Sequence, residues 1–523
     1  MSDTRQRRSP PPTPNPLTRF DSMSPVSPFF PRPFSPSPPP PYAARPPTPK
    51  GKSSVLALTR TRRPVFCSVF AILFGILIYL NIAFYRSSGF SIHFAQAQHL
   101  NDTTEMPAAR ISKKPRIERL KVLRGEPTEK FRDNLRDDLN YVHSWISAGW
   151  TNDLMTYANV IYIGLISERV PIVHYFNWDV PGTPTDVRTL PFSEVFDLDR
   201  LSNEIQLPVV EWDEVKDPKS KEVEELGCWN VWEAVQYRDP NPRWPFNNTW
   251  AKQGLDISWT TVPSTVKIIP NFEHDQWARI WDLAAVTFNY GRSQALGQVK
   301  ESSLFHHASP PDEQLACFDF VYFAAAVHSE EFWYSLSPVW REVGTHIHWQ
   351  PAIQELGNEY MRRMFNVPTG GAIPPFISIH ARRGDFFDYC DQAGLARETC
   401  YPTMDEYRFA IDRLRTAIED KLGVSPTHVV MLSDETDPAW WAEIRAQGWY
   451  VPDHEGAGTL EKYGWWYPVI LDAVIQSSGV GLLGTPASTF SLIAGRRVMD
   501  WQGGVYHEIA WANRESKLGV PVP

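Results

Sequence analysis

Residues 376–385 read Phe-Ile-Ser-Ile-His-Ala-Arg-Arg-Gly-Asp, an apolar, β-branched run that is followed at once by polar and charged side chains. This pattern predicts a buried strand that ends where the charges begin. Ligands of open α/β sheets bind at the carboxyl ends of the strands, so Arg382 and Arg383 are expected to face a crevice. Arginine forks suit pyrophosphate oxygens, Asp385 can hold one guanidinium in place, and His380 can support the loop or touch the ligand. The alternative is a surface turn with a salt bridge.

A second run of the same kind occupies residues 427–435, which read Thr-His-Val-Val-Met-Leu-Ser-Asp-Glu. It predicts another buried strand that ends in an acidic cluster. The carboxylate of Asp434 can accept hydrogen bonds from a guanine edge or from ribose hydroxyls, or it can order a loop. An equally good interpretation is a helix that begins at an N-cap on Ser433.

A third run covers residues 480–494, where a short apolar strand meets Gly-Thr-Pro and then Ser-Thr-Phe-Ser. The free amides at the start of a helix, with the Ser488 and Thr489 hydroxyls, form a phosphate cradle. The alternative is an ordinary capping turn. Three strand-end clusters in one half of the chain together favour a site for a nucleoside diphosphate.

The composition of the 523-residue chain limits the classes of protein to which it can belong. The length suggests roughly two or three domains, and 42% hydrophobic with 21% charged residues is typical of a globular protein. A net charge of -9 argues against a nucleic-acid binder. Asp197 and Asp199 have the spacing of a manganese-binding pair, but their setting favours a solvated helix turn. From about residue 140 onward the pattern predicts a mixed α/β protein, and we expect no metal ion or other cofactor.

The amino-terminal region predicts a membrane anchor. Residues 1–63 are rich in proline and predict a disordered cytosolic tail, and 64–85 are apolar, uncharged and long enough to cross a bilayer. Basic residues precede this span, so the rest of the chain is expected in the lumen of the endoplasmic reticulum or Golgi, after a stem at 86–125. The sequons at Asn101 and Asn247 agree with that location.

Four of the five cysteines follow the predicted span. Four cysteines allow three pairings, and the sequence does not choose among them. We prefer Cys390 with Cys400, because they close a short loop, and this leaves Cys228 with Cys317. A zinc site is disfavoured, since no Cys-x-x-Cys spacing is present.

The three strand-end runs, in this order and spacing, resemble the GDP-fucose protein O-fucosyltransferase family and the related α1,2- and α1,6-fucosyltransferases. The resemblance lies at 380–385, 433–435 and 485–491. Residues 147–153 look like a variant of the Gly-Gly-x-x-Asn-Gln loop of the family's amino-terminal domain. The resemblance covers about 140–500 and is close only at these motifs.

The resemblance implies a GT-B-like architecture, in which two Rossmann-like domains face a cleft. We expect them at 126–335 and 336–523, with the donor bound mainly by the second. It also implies an inverting, metal-independent transfer of fucose from GDP-fucose to a hydroxyl of a protein or glycan. By motif, Arg382 would neutralise the departing β-phosphate, with Arg383 and Asp385 in support. The other implied donor contacts are Gly149, Asn152, His380, Asp434, Thr485, Ser488, Thr489 and Phe490.

One departure from the family pattern concerns the general base. Some members carry a Glu beside the first loop, whereas residues 147–149 contain none and the loop ends in Asp153 instead of Gln. Asp153 and Asp388 are the candidate replacements. Two alternatives stay open, an inactive lumenal binding protein on the same fold and a transferase that uses another nucleotide sugar.

Overall fold

The computed structural model describes residues 116–145, 149–176, 187–235, 252–269, 277–319, 321–327, 329, 331–392, 395–509 and 520–521. All of them belong to one compact unit. The predicted tail, the membrane span at 64–85, most of the stem, both sequon asparagines and residues 146–148 lie outside these ranges. Within them, every helix is too short or too polar to cross a bilayer.

The first half of the described chain contains a seven-stranded sheet. Its strand order is β3-β2-β1-β8-β4-β5-β7, parallel except for β7, and β6 pairs with β9 separately. The strands are β1 (Tyr141–Ser144), β2 (Val170–Val173), β3 (Val210–Glu211), β4 (Glu224–Asn230), β5 (Leu255–Thr261), β6 (Ala278–Arg279), β7 (Val299–Lys300), β8 (Leu315–Phe318) and β9 (Ala324–Ala325).

Helices cover this sheet and lead into the second half. The α-helices are α1 (Phe131–Asn134), α2 (Trp150–Ser167), α3 (Phe192–Val195), α4 (Leu198–Ile205), α5 (Trp212–Val215), α6 (Val231–Ala234), α7 (Ile280–Ala285), α8 (Asn289–Ala295), α9 (Pro338–Glu342) and α10 (Pro351–Met364). Short 3₁₀ helices lie at Arg119–Val122, Ser264–Val266, Glu331–Trp333 and Gly344–His346. Helix α2 joins β1 to the parallel β2 and is buried on nearly all sides. It therefore begins at the carboxyl end of β1.

The second half contains a five-stranded sheet, ordered β11-β10-β12-β13-β14 and parallel except for β14. The strands are β10 (Phe376–Ala381), β11 (His428–Ser433), β12 (Gly481–Gly484), β13 (Val505–Glu508) and β14 (Val520–Pro521). The first three are the strands predicted from the apolar runs, so that prediction is confirmed. Their side chains are buried because helices cover both faces.

The helices of this half are α11 (Phe387–Gln392), α12 (Arg397–Cys400), α13 (Met404–Leu422), α14 (Pro438–Ala446), α15 (His454–Ala457), α16 (Thr459–Tyr463), α17 (Tyr467–Ser478) and α18 (Thr489–Trp501). Helix α13 shows why such segments are helical. Thr403 and Glu406 form a capping box at its start, and Gly423 ends it in the left-handed conformation at φ 67°.

Both disulfides follow the preferred pairing. Cys228 joins Cys317 between the neighbouring strands β4 and β8, and Cys390 joins Cys400 between α11 and α12. All four cysteines are fully buried. The second bond closes a loop directly after the charged run at 382–385.

Helix α18 connects the two sheets. The indole of Trp501 donates to the carbonyl of Thr345 at 2.8 Å, and Nε of Arg496 donates to the carbonyl of Phe332 at 2.9 Å. Apolar residues of α18 lie in the same core cluster as α2. This cluster combines strands of the first sheet with helices α17 and α18 of the second half, and the predicted domain boundary between 335 and 336 stays a prediction.

Candidate functional site

The three strand-end runs meet at one edge of the second sheet. Strand β10 lies between β11 and β12, and all three are parallel, so their carboxyl ends are adjacent. Ala381 is paired with Ser433, and Ile379 with Leu483. The charged loop that follows β10 therefore lies between the two other runs, as expected for a site in an open α/β sheet.

Arg382 is a partly exposed cation at this edge of the sheet. Its Nη1 lies 2.7 Å from Oδ2 of Asp434 and its Nε 2.8 Å from Oδ1 of Asp385, although the second contact lacks the alignment of a hydrogen bond. The backbone amide donates to the Thr485 hydroxyl at 3.0 Å. Burial acts to lower the pKa of Arg382, but the two carboxylates outweigh it and raise that pKa. The side chain is 34% exposed, so it is accessible to a ligand.

Asp434 orders the loop at 382–385, which we call the arginine loop. Its Oδ1 accepts the backbone amides of Arg383 at 2.7 Å and Gly384 at 3.1 Å. A Cβ on Gly384 would lie 2.9 Å from Oδ2 of Asp434, so the close approach requires glycine. Burial acts to raise the pKa of Asp434, but Arg382 and the two amides lower it. Of the two roles considered for this carboxylate, the structure therefore supports loop ordering.

The alternative interpretation of this run, a helix N-cap on Ser433, is wrong. The Ser433 hydroxyl donates to the carbonyl of Ala381 at 2.6 Å, across to the neighbouring strand. Helix α14 begins later and is capped by Asp437, which accepts from the amide of Ala439. A better capping residue that stands just before Pro438 explains the shift.

The Arg383 side chain is largely enclosed by neighbouring residues. Its Nε lies 2.7 Å from Oε2 of Glu435, and its guanidinium carbon lies 4.2 Å from the ring centroid of Tyr401 and 4.8 Å from that of Trp440. Both ionic partners are largely buried. These contacts hold Arg383 against the loop, and its contact with a donor stays a prediction.

His380 and Thr485 connect strand β10 to the turn after β12. Nδ1 of His380 lies 2.7 Å from the Ser491 hydroxyl, which also accepts the Thr485 amide at 3.0 Å. The Thr485 hydroxyl donates to the carbonyl of His380 at 2.8 Å. Burial lowers the pKa of His380 to about 3, so the imidazole is neutral. Sequence reasoning missed Ser491, although its place in the Ser-Thr-Phe-Ser run was a signal.

The start of α18 contacts the start of α2. Ser488 caps α18 by accepting the amide of Ser491, as the ordinary capping interpretation expects. The next hydroxyl, of Thr489, lies 2.8 Å from that of Thr151, and both are buried. Phe490 packs beside Trp150 with ring centroids 6.4 Å apart. Two helix N-termini therefore converge at this point, where their unpaired amides and dipoles favour an anion.

The predicted loop before α2 lies at the same convergence. Gly149 is the exposed N-cap residue of α2, with extended backbone. Oδ1 of Asn152 is buried without a hydrogen-bond partner in the part of the chain that the structure describes. Asp153 is only 1% exposed, so it is the less accessible of the two candidate bases. Asp388 is half-buried at the start of α11, just beyond the arginine loop.

Two other parts of the chain are weaker candidates for a functional site. A surface groove of about 580 Å³ lies at the amino edge of the first sheet, but its arginines are paired, Arg132 with Asp312 at 2.8 Å and Arg292 with Glu313 at 3.0 Å. The Asp-Leu-Asp run also has structural partners, since Asp197 caps α4 and Asp199 is paired with Arg119 at 2.9 Å. The described residues contain no group of three side chains suited to a metal ion.

Comparisons with known proteins assign the family. The model of the GDP-fucose protein O-fucosyltransferase family matches residues 168–431, half of the chain. Among solved structures, POFUT1 in complex with GDP-fucose aligns at 14% identity with a TM-score of 0.43, covering 72% of this chain and 99% of that one. NodZ α-1,6-fucosyltransferase soaked with GDP-fucose aligns at 14% identity and a TM-score of 0.37, covering 74% and 100%. The fucosyltransferase NodZ from Bradyrhizobium aligns at 12% identity and 0.36, with the same coverage.

No curated protein sequence matches significantly. The family match includes the arginine loop and ends within β11, so the turn at 485–491 enters the site through its geometry alone. By the family match, the chain belongs to the GDP-fucose protein O-fucosyltransferase family and is a GDP-fucose-dependent glycosyltransferase.

Proposed function

We propose that this protein transfers fucose from GDP-fucose to a hydroxyl of a protein or glycan acceptor, with inversion and without a metal ion. One observation carries the proposal. Arg382 is held by Asp385 and Asp434 while its side chain is partly exposed, and its backbone amide is bonded to Thr485, in the turn that leads into α18. Arg382 is therefore fixed at the edge where α18 begins.

The chemistry follows from where charge develops. As the bond between fucose and the diphosphate breaks, negative charge accumulates on the departing phosphate. A guanidinium that is already fixed stabilises this charge more in the transition state than in the ground state. Reorganisation at the moment of reaction is small, because Arg382 is held before the donor arrives.

The acceptor hydroxyl must lose its proton. Asp388 is our proposed general base, because it is half-buried directly after the arginine loop, whereas Asp153 is enclosed. Attack on the face of the sugar opposite the diphosphate would give inversion. If Asp388 has this role, Asp388→Asn lowers kcat while the Kd for GDP stays unchanged.

We also propose that the protein is a single-pass type II membrane protein with its catalytic part in the lumen of the endoplasmic reticulum or Golgi. Two buried disulfides support an oxidising compartment. The apolar run at 64–85, with basic residues before it, supports the orientation.

The test measures GDP release by the full chain in detergent, with GDP-fucose, GDP-mannose or UDP-glucose as donor and EDTA present. A panel of protein and glycan acceptors is added, and calorimetry gives the Kd for GDP. Turnover of GDP-fucose alone, unaffected by EDTA, supports the proposal. Turnover that EDTA abolishes would contradict the metal-independent part. GDP binding without turnover of any acceptor would contradict the catalytic part.

A further inference from the structure

The charges of the arginine loop and its partners do not by themselves favour an anion. Arg382 and Arg383 contribute two positive charges, and Asp385, Asp434 and Glu435 contribute three negative ones, so the group carries a net charge of −1. A nucleoside diphosphate is itself an anion. Positive potential that is not cancelled locally must therefore come from neighbouring structure.

Arg497 is a cation of that kind. It is 1% exposed, and its Nε and Nη2 have no hydrogen-bond partner among the described residues. Its guanidinium carbon lies 4.1, 5.0 and 5.4 Å from the ring centroids of Trp349, Trp501 and Phe196. Aromatic faces stabilise the charge without neutralising it. Burial lowers the pKa of Arg497 to about 9, so the group stays protonated at neutral pH.

The position of Arg497 connects it to the site. It lies on α18, nine residues after the capping Ser488, which corresponds to about 13 Å along the axis. Two of the rings that its guanidinium contacts, Phe196 and Trp349, each stack on Trp150 at the start of α2 with ring centroids 6.0 Å apart. The space between is occupied by packed core, where charges are screened less than in water.

We infer that Arg497 is a long-range electrostatic determinant of donor binding, whose uncompensated buried charge attracts the diphosphate bound at the N-terminus of α18. This inference rests on the proposed use of GDP-fucose. Arg497 does not touch the ligand and is not a catalytic residue. Its charge offsets the negative balance of the arginine loop.

The inference makes stability and affinity change in opposite directions. An unpaired cation in a core is unfavourable, and an apolar side chain of similar volume often stabilises a fold. Arg497→Met should therefore raise Tm and weaken GDP binding on the order of tenfold. A purely structural arginine would show a fall in Tm and no dependence on ligand charge.

The experiment measures the Kd of guanosine, GMP and GDP by calorimetry on the full chain and on Arg497→Met. The loss of affinity that we expect in Arg497→Met is largest for GDP, smaller for GMP and absent for guanosine. The control is Arg169→Met, since Arg169 is also buried but donates to four carbonyls at the amino edge of the first sheet. This control should lower Tm but leave the Kd values of GDP, GMP and guanosine in the same ratios to one another as in the wild type.

Equal losses for the three ligands, or no loss for GDP, would overturn the inference. If Arg497→Met does not fold, Arg497→Gln replaces it as the neutral variant and the same ratios decide. Failure of the unmodified protein to bind GDP would instead contradict the proposed function. The two failures are therefore distinguishable.

Discussion

The Thr151 hydroxyl lies 2.8 Å from the Thr489 hydroxyl and joins the first turns of α2 and α18, although 338 positions separate the two residues. This buried bond fixes the distance between two helix N-termini that we expect to share one diphosphate. It joins the two halves at the site itself, whereas the hydrogen bonds of Arg496 and Trp501 to the first half lie farther along α18.

Removing this bond should weaken both the fold and donor binding. Thr151→Val and Thr489→Val keep the shape and lose the hydroxyl, so each should cost about 1 kcal/mol of unfolding free energy and raise the KM for GDP-fucose several-fold. Because both variants break the same bond, their effects should not add. A double-mutant cycle, by urea unfolding and by KM, measures the coupling. Strictly additive effects would show that the two hydroxyls act independently.

Arg382→Ala should abolish most transfer while the domain stays folded. Loss of one fixed donor to a developing oxyanion typically lowers kcat by about 10² to 10³-fold. The variant frees Asp385 and Asp434 from a partly exposed cation, so a small change in Tm is expected. Arg382→Lys keeps the charge without the fork and should fall between. Wild-type turnover in Arg382→Ala would remove Arg382 from the mechanism.

Gly384→Ala tests the loop that holds Arg382. The added Cβ would lie 2.9 Å from Oδ2 of Asp434, so the carboxylate must move and its contact with Arg382 must change. We expect kcat to fall by about tenfold or more, with Tm lowered by only a few degrees. Gly125→Ala is the matched control, because nothing lies within 4 Å of its Cβ. Similar kcat values for both variants would contradict the role of the glycine.

The sequence predicted the three strands whose ends form the candidate site, because strands depend on local patterns. The runs that became β10, β11 and β12 are apolar and β-branched, and each ends in polar residues. The division of labour among those polar residues was not predictable. Whether Asp434 orders a loop or meets a ligand depends on how closely β11 approaches the backbone of Gly384, which only the folded sheet determines.

Long-range relationships also escaped the sequence. The sequence around Thr151 does not predict its contact with Thr489. Arg497 belongs to no recognised motif, and the aromatic rings that surround it are brought together only by the fold. A supporting role is what the resemblance implies for Arg383, but its contact with Tyr401 could not be predicted from the run at 382–385.

Tyr401, which directly follows the disulfide between Cys390 and Cys400, should set the geometry of the arginine loop through its contacts with Arg383. Its hydroxyl donates to the carbonyl of Arg383, and its ring lies under the Arg383 guanidinium. Tyr401→Phe keeps the ring and loses the hydrogen bond, so we expect a lower kcat for GDP-fucose with an unchanged Kd for GDP. Tyr401→Ala should lower both kcat and Tm. Equal kcat in wild type and Tyr401→Phe would show that the ring alone is sufficient.

Buried histidines should make the fold sensitive to acid. Burial lowers the pKa of His143 to about 4, whereas its ordinary value is 6.5. Between these values the unfolded chain binds a proton that the folded chain does not, so stability is complete above pH 6.5 and falls as the pH drops toward 4. One such group contributes at most about 1.4 kcal/mol per pH unit. His143→Gln should therefore flatten the decline measured by urea unfolding between pH 7 and pH 5. A wild-type slope in that variant would mean that other groups, such as the equally buried His380, carry the acid sensitivity.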